Sequence, residues 1–219
     1  MNKSILLFSM ALFISAICFS SDDNAQTYEN SITAGTTYVI VQHDVADFDK
    51  WKTGYDEDAQ RRKKTGLQEI LVLKGDPNAN SVSVVFGISD LEKARAFFSD
   101  PQLAEKMGEA GVISAPQFTY FNVANSSLTN GNSYMIISHK VADFDKWKEG
   151  FDDHESERLK YHIKVTAVGT SVDDPTQIVA IFNTDQAVNF VDFMEKSDLK
   201  EAMQNSGVIS EPVSYILRK

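Results

Sequence analysis

Two histidines and an arginine in the C-terminal half of the chain have the types and spacing for chemistry. Trp147, Phe151, His154 and Arg158 follow an i, i+4, i+7, i+11 pattern, which places them on one face of a helix. His139 closes the apolar run before that helix. An imidazole beside a guanidinium can grip an anionic or phenolic group, and a histidine facing a dry pocket can accept a proton. His139 and His154 are therefore the candidate catalytic groups, with Trp147, Phe151 and Arg158 as ligand-binding neighbours. The corresponding residues in the first half are His43, Trp51, Tyr55, Asp58 and Arg62. There Asp58 replaces the histidine. The competing reading is structural: each terminal histidine bonds to the start of the following helix, each tryptophan anchors a helix on its sheet, and Asp58 and Arg62 form an i,i+4 surface pair worth a few tenths of a kcal/mol, about 0.3.

The elements that must position these residues occur twice. Val45-Ala46-Asp47-Phe48-Asp49-Lys50-Trp51-Lys52 recurs identically as Val141-Ala142-Asp143-Phe144-Asp145-Lys146-Trp147-Lys148, at an offset of 96. The same offset carries His43 onto His139, Gly54 onto Gly150, and Gly111-Val112-Ile113-Ser114 onto Gly207-Val208-Ile209-Ser210. The chain therefore reads as repeat 1 over 38–123 and repeat 2 over 134–219, joined by an Asn/Ser/Gly-rich linker at 124–133.

Within repeat 1, Tyr38 to Val45 reads as a strand. Asp47 N-caps a helix that Gly66 ends, and strands follow at Leu67–Leu73 and Val82–Phe86. Asp90 caps a second helix, which Pro101 breaks. A short helix from Gln102 to Ala110 ends at Gly111, and Phe118–Val123 is the last strand. Repeat 2 reads as Tyr134–Val141, Asp143–Tyr161, Lys164–Gly169, Ile178–Phe182, Asp185–Lys196, Asp198–Asn205 and Val213–Leu217. The order β-α-β-β-α-β is ferredoxin-like, and the class is α+β. The strands are apolar on both faces, so each sheet needs a second cover besides its helices. The other repeat's sheet supplies it, which predicts a barrel closed within one chain and a monomer with internal pseudo-dimer symmetry, with His43 and His139, at the ends of the first strands, at the mouth of the barrel interior.

Residues 1–19 read as a signal segment, with Lys3 before an apolar run from Ile5 to Phe19, and residues 20–37 as a polar tether. Cys18 is the one cysteine of the chain. Either signal peptidase removes it, after Ser20 or Ala25, or it is lipidated and becomes the new N-terminus. The mature protein is expected to be exported: periplasmic, anchored to the outer membrane as a lipoprotein, or secreted. A membrane is met only through that anchor. The net charge is -10, and no segment is basic, so nucleic acid is not an expected partner. His43, His139, His154 and His162 lack metal-site spacing, and neither metal nor cofactor is expected.

Both repeats resemble the dimeric α+β barrel superfamily, which includes the antibiotic-biosynthesis monooxygenase type. The resemblance rests on His43, Val45 to Lys52, Arg62, Asp76-Pro77-Asn78, Ala110-Gly111-Val112 and Pro116. In repeat 2 it rests on His139, Val141 to Lys148, Arg158, Asp174-Pro175 and Gly207-Val208. It covers residues 38–219, and in the resembled subgroup a histidine occupies the place of His154. Members include monooxygenases, isomerases and haem-degrading enzymes. Three functions follow in order: a module binding a small apolar or aromatic ligand between its two sheets; a cofactor-independent monooxygenase or isomerase with a histidine base; and a haem-handling protein with an axial histidine.

Overall fold

The structure, a computed structural model, describes residues 32–219 other than Leu128 and Lys196. The signal segment, Cys18 and most of the tether lie outside the described residues. Repeat 1 contains β1 (Thr37–Asp44), α1 (Phe48–Glu57), α2 (Ala59–Lys64), β2 (Leu67–Gly75), β3 (Ser81–Ile88), α3 (Leu91–Phe98), α4 (Pro101–Glu109) and β4 (Gln117–Ser126). Repeat 2 contains β5 (Ser133–Lys140), α5 (Phe144–Asp153), α6 (Glu155–Lys160), β6 (Lys164–Ser171), β7 (Gln177–Thr184), α7 (Val188–Met194), α8 (Ser197–Asn205) and β8 (Val213–Arg218).

The capping chemistry is visible in the side chains. Asp47 and Asp143 each accept a hydrogen bond from the backbone N–H three residues on, at 2.8 Å. Such a cap is worth about 1 kcal/mol. Asp90 caps α3 in the same way, and Asp100 caps α4 with Pro101 at the first helical position. Two helix boundaries differ from expectation. The helix after β1 breaks at Asp58, and its counterpart at His154, so each is two helices rather than one. Asp185 caps nothing, because α7 starts at Val188 behind Ala187.

The eight strands close into one barrel in the order β1-β3-β2-β8-β5-β7-β6-β4. Each repeat contributes four neighbouring strands, and two seams join the repeats. Along one seam β4 pairs with β6 from Phe121↔Ser171 to Ser126↔Ala167, across a register shift between Val123 and Asn125. The other is short, with β2 pairing β8 only at Lys74↔Arg218 and Gly75↔Leu217. The expected intrachain barrel is thus formed, with hydrogen-bonded seams rather than two separate sheets stacked face to face.

Tyr38 and Ile40 point inward, and with Leu73, Phe121, Tyr134, Ile136, Ile181 and Leu217 they belong to one buried cluster that fills the interior. Ile32 joins that cluster, and the backbone N–H groups of Gly35 and Val123 donate to Val123 and Thr36. Ile32, expected within the tether over 20–37, thus packs in the barrel, where its apolar side chain is worth more than in water. The ligand is expected between the sheets, where this buried cluster packs; the two cavities described below lie on the outer face of the barrel, under the helices.

The equivalent tyrosines Tyr38 and Tyr134 differ in their hydroxyls. Tyr38 accepts a hydrogen bond from the Thr33 N–H at 2.7 Å, whereas the buried Tyr134 hydroxyl has no protein partner. Opposite effects are expected in chemical denaturation. Tyr38→Phe should cost about 1 kcal/mol, and Tyr134→Phe should stabilise by about 1–2 kcal/mol. Equal effects at the two positions would contradict this.

Candidate functional site

Strand alternation sends Val39, Val41 and His43 to the outside of the barrel, under the helices, and sends Met135, Ile137 and His139 there in repeat 2. The histidines therefore face the helix layer, not the mouth of the barrel interior. A strand apolar on both faces carries no sequence mark of which side meets helices.

On that side each repeat builds the same column of rings. His139 lies 5.5 Å from Trp147, Trp147 stacks on Phe151 at 4.9 Å, and Phe151 meets Phe182 at 6.0 Å between centroids. In repeat 1 His43, Trp51, Tyr55 and Phe86 repeat the column at 5.5, 4.8 and 6.4 Å. An arginine closes each column. Arg158 sits 4.0 Å over the Phe151 ring and donates to the Phe151 carbonyl at 2.6 Å. Arg62 sits 3.6 Å over Tyr55 and donates to its carbonyl at 2.5 Å. These carbonyls lie in the last turn before the helix breaks, where backbone acceptors need a partner. The breaks thus aim both arginines inward.

A cavity of about 70 Å³ runs along the column in repeat 2. His139, Trp147, Phe151, His154 and Arg158 all line it, so the five residues singled out in this half come together. Ile163 and Phe182 wall it from the sheet side, and Phe193, Leu199, Ala202 and Met203 from α7 and α8. His154 is half-buried. The cavity of repeat 1 has a similar volume, about 70 Å³, and His43, Trp51, Asp58 and Arg62 line it with Lys106 and Met107.

The charges differ between the two. Asp58 pairs with Arg61 at 3.0 Å, not with Arg62. The expected Asp58–Arg62 pair is absent because Asp58 is itself the break, and i,i+4 neighbours no longer align across it. Arg62 turns instead toward Glu69, at 3.7 Å, and Glu69 accepts a hydrogen bond from the Tyr55 hydroxyl at 2.6 Å. Burial pushes the Tyr55 hydroxyl well above its usual pKa; Arg62 opposes that shift and the bond to Glu69 adds to it. Burial lowers Arg158 to about 10, a shift that Glu155 and Asp152 partly offset.

His139 is 5% exposed and His43 7%, and no ring nitrogen of either finds a protein partner. The structural reading of these histidines as bonded to the following helix is therefore corrected. Burial lowers both to about 4, with Asp44 slightly opposing the shift at His43. At neutral pH each is an uncharged imidazole, one donor and one acceptor. Taking a proton from a phenol of ordinary pKa would cost His139 about 8 kcal/mol, which makes it a poor general base.

Sequence reasoning missed Glu69 as the partner of Arg62, since it lies in the strand rather than the helix. It also missed the methionines. All four described methionines, Met107, Met135, Met194 and Met203, line one of the two cavities. Their unbranched, adaptable side chains suit a surface that meets a ligand, and that signal was readable in the sequence.

No family model matches the chain, and no curated protein matches it. Solved structures do. An anthrone oxidase-like protein aligns at 11% identity over 86% of this chain and 92% of its own, with a TM-score of 0.57. A variant chlorite dismutase from Candidatus Nitrospira defluvii aligns at 14% identity over 85% and 93%, with a TM-score of 0.53. A haem-binding protein from Thermus thermophilus aligns at 10% identity over 87% and 93%, with a TM-score of 0.52. The chain therefore has the dimeric α+β barrel fold, with both ferredoxin-like units in one polypeptide. Haem does not fit the residues present: His139 lines a cavity of about 70 Å³ between the sheet and the helices, too small for the macrocycle.

Proposed function

We propose that this protein binds a small molecule with an apolar or aromatic body in the repeat 2 cavity, between the outer face of β5 and β7 and helices α5, α7 and α8. One observation carries the reading. His139 is 5% exposed, it lines an apolar cavity, and neither of its buried ring nitrogens has a protein partner. A buried polar group left unpaired costs about 1–3 kcal/mol, and a ligand that pairs with it recovers that cost. Apolar walls with a few convergent polar groups are the usual make-up of a small-molecule site. Binding is favoured over base catalysis by the low proton affinity of His139.

Thermal denaturation with small aromatic compounds tests the proposal. A ligand at a hundredfold excess over its Kd should stabilise the fold by about 2.7 kcal/mol. Ala202→Leu projects a side chain from α8 into the cavity and should abolish the shift. A shift that survives Ala202→Leu would place binding elsewhere and overturn the proposal.

A further inference from the structure

We propose that the ligand of the repeat 2 cavity carries an anionic head, a carboxylate on its aromatic or apolar body, held by Arg158, and that repeat 1 has lost this preference because Glu69 supplies the anion from within the chain. This rests on the reading of the repeat 2 cavity as a ligand site.

The duplication supplies an internal control. Arg62 and Arg158 are equivalent, bond to equivalent carbonyls at 2.5 and 2.6 Å, and cover equivalent rings. The difference lies on the second strand of each repeat, beside a phenylalanine that lines the cavity. Glu69 stands opposite Phe86 in the β2–β3 ladder, and Val165 stands opposite Phe182 in the β6–β7 ladder. In repeat 1 the Glu69 carboxylate meets both Arg62 and the Tyr55 hydroxyl. In repeat 2 both partners are gone together: Val165 has no carboxylate and Phe151 has no hydroxyl.

Arg158 is nevertheless 5% exposed, and among the described residues it forms no ion pair. Asp152 is engaged by Lys148, and Glu155, on the exposed side of α6, acts on Arg158 only through space. A buried cation without a counter-ion is costly, and an incoming carboxylate offsets that cost. No acidic side chain lines the repeat 2 cavity to repel it. Arg158 receives the carboxylate at one end of the aromatic column, and the rings and methionines along the column receive the body.

Calorimetric titration of the full chain at neutral pH with benzoate and its neutral isostere benzamide tests the inference. Benzoate should bind one site, roughly ten- to hundredfold more tightly than benzamide. Val165→Glu, which imports the repeat 1 arrangement, should bring benzoate down to the benzamide affinity. Glu69→Val combined with Asp58→His, which gives repeat 1 the residues of repeat 2 at these two positions, should do the reverse and raise the benzoate stoichiometry from one to two, a result that does not depend on the Val165 variant folding. Equal affinities for the two probes, unchanged in Val165→Glu, would overturn the anionic head while leaving the cavity as a ligand site. Failure of both probes to bind would overturn the inference and the ligand site together.

Discussion

Acidification from pH 6.5 to 4 is expected to cost the fold about 2.5 kcal/mol for each of His43 and His139, and about 5 kcal/mol for the pair. Both side chains are buried, and burial holds both near 4 against an ordinary 6.5. The unfolded chain therefore binds two protons in this window that the folded chain refuses. Stability is fully present above 6.5, falls as the pH drops toward 4, and levels off below it as far as these two groups are concerned. A loss of that size is comparable with the whole stability of an ordinary domain, about 5–15 kcal/mol. Urea denaturation at a series of pH values measures it. The double variant His43→Leu/His139→Leu removes four unpartnered nitrogens, so it should be at least as stable at pH 7.5 and should flatten the acid limb. An unchanged acid limb in the double variant would refute the assignment.

Substituting Gly169 is expected to open the barrel. Gly169 stands opposite Val123 in the long seam, and a Cβ there would lie 1.9 Å from the Asn122 carbonyl oxygen and 2.8 Å from its carbon. Backbone on both sides cannot give way without breaking the β4–β6 ladder. Gly169→Ala should therefore cost at least about 3 kcal/mol, at the upper end for a small-to-large change. The equivalent residue of repeat 1 is Leu73, which is tolerated because the short seam leaves it beyond the paired residues of β8. Gly87→Ala is the control. Its Cβ would meet nothing nearer than the Tyr38 ring at 3.4 Å, and the change should stay within about 1 kcal/mol. Similar losses at both glycines would mean that the seam is not what Gly169 protects.

Much of this architecture was legible in the sequence because it was written twice. The Val45–Lys52 repeat fixed the pairing of elements, and the Asp47, Asp143 and Asp90 caps marked where helices begin. Trp147, Phe151, His154 and Arg158 do converge, because the helix break at His154 costs the face only a small turn. What was hidden had physical reasons. Strands buried on both faces do not reveal which face meets helices, so the histidines were expected at the barrel interior. Asp58 beside two arginines does not reveal which one it pairs with. A lone Ile32 in a polar stretch gives no periodic sign that it belongs to a core. The inequality of the two seams appears only when the strands are laid side by side, and with it the reason for glycine at 169.

The two cavities differ by a few atoms around a shared scaffold. Repeat 1 carries its own carboxylate and hydroxyl at the end of its column, while repeat 2 presents a bare arginine and two histidines. One copy thus carries a counter-ion for its buried arginine, and the other does not.

The protein has two tryptophans, Trp51 and Trp147, one in each aromatic column. A two-dimensional proton–nitrogen spectrum therefore gives one indole signal per cavity, assigned with Trp51→Phe. Titration with benzoate is the most direct test of the central claim. The Trp147 signal should move and saturate while the Trp51 signal stays in place. Movement of Trp51 alone, or of neither signal at millimolar benzoate, would contradict the assignment of the repeat 2 cavity as the ligand site.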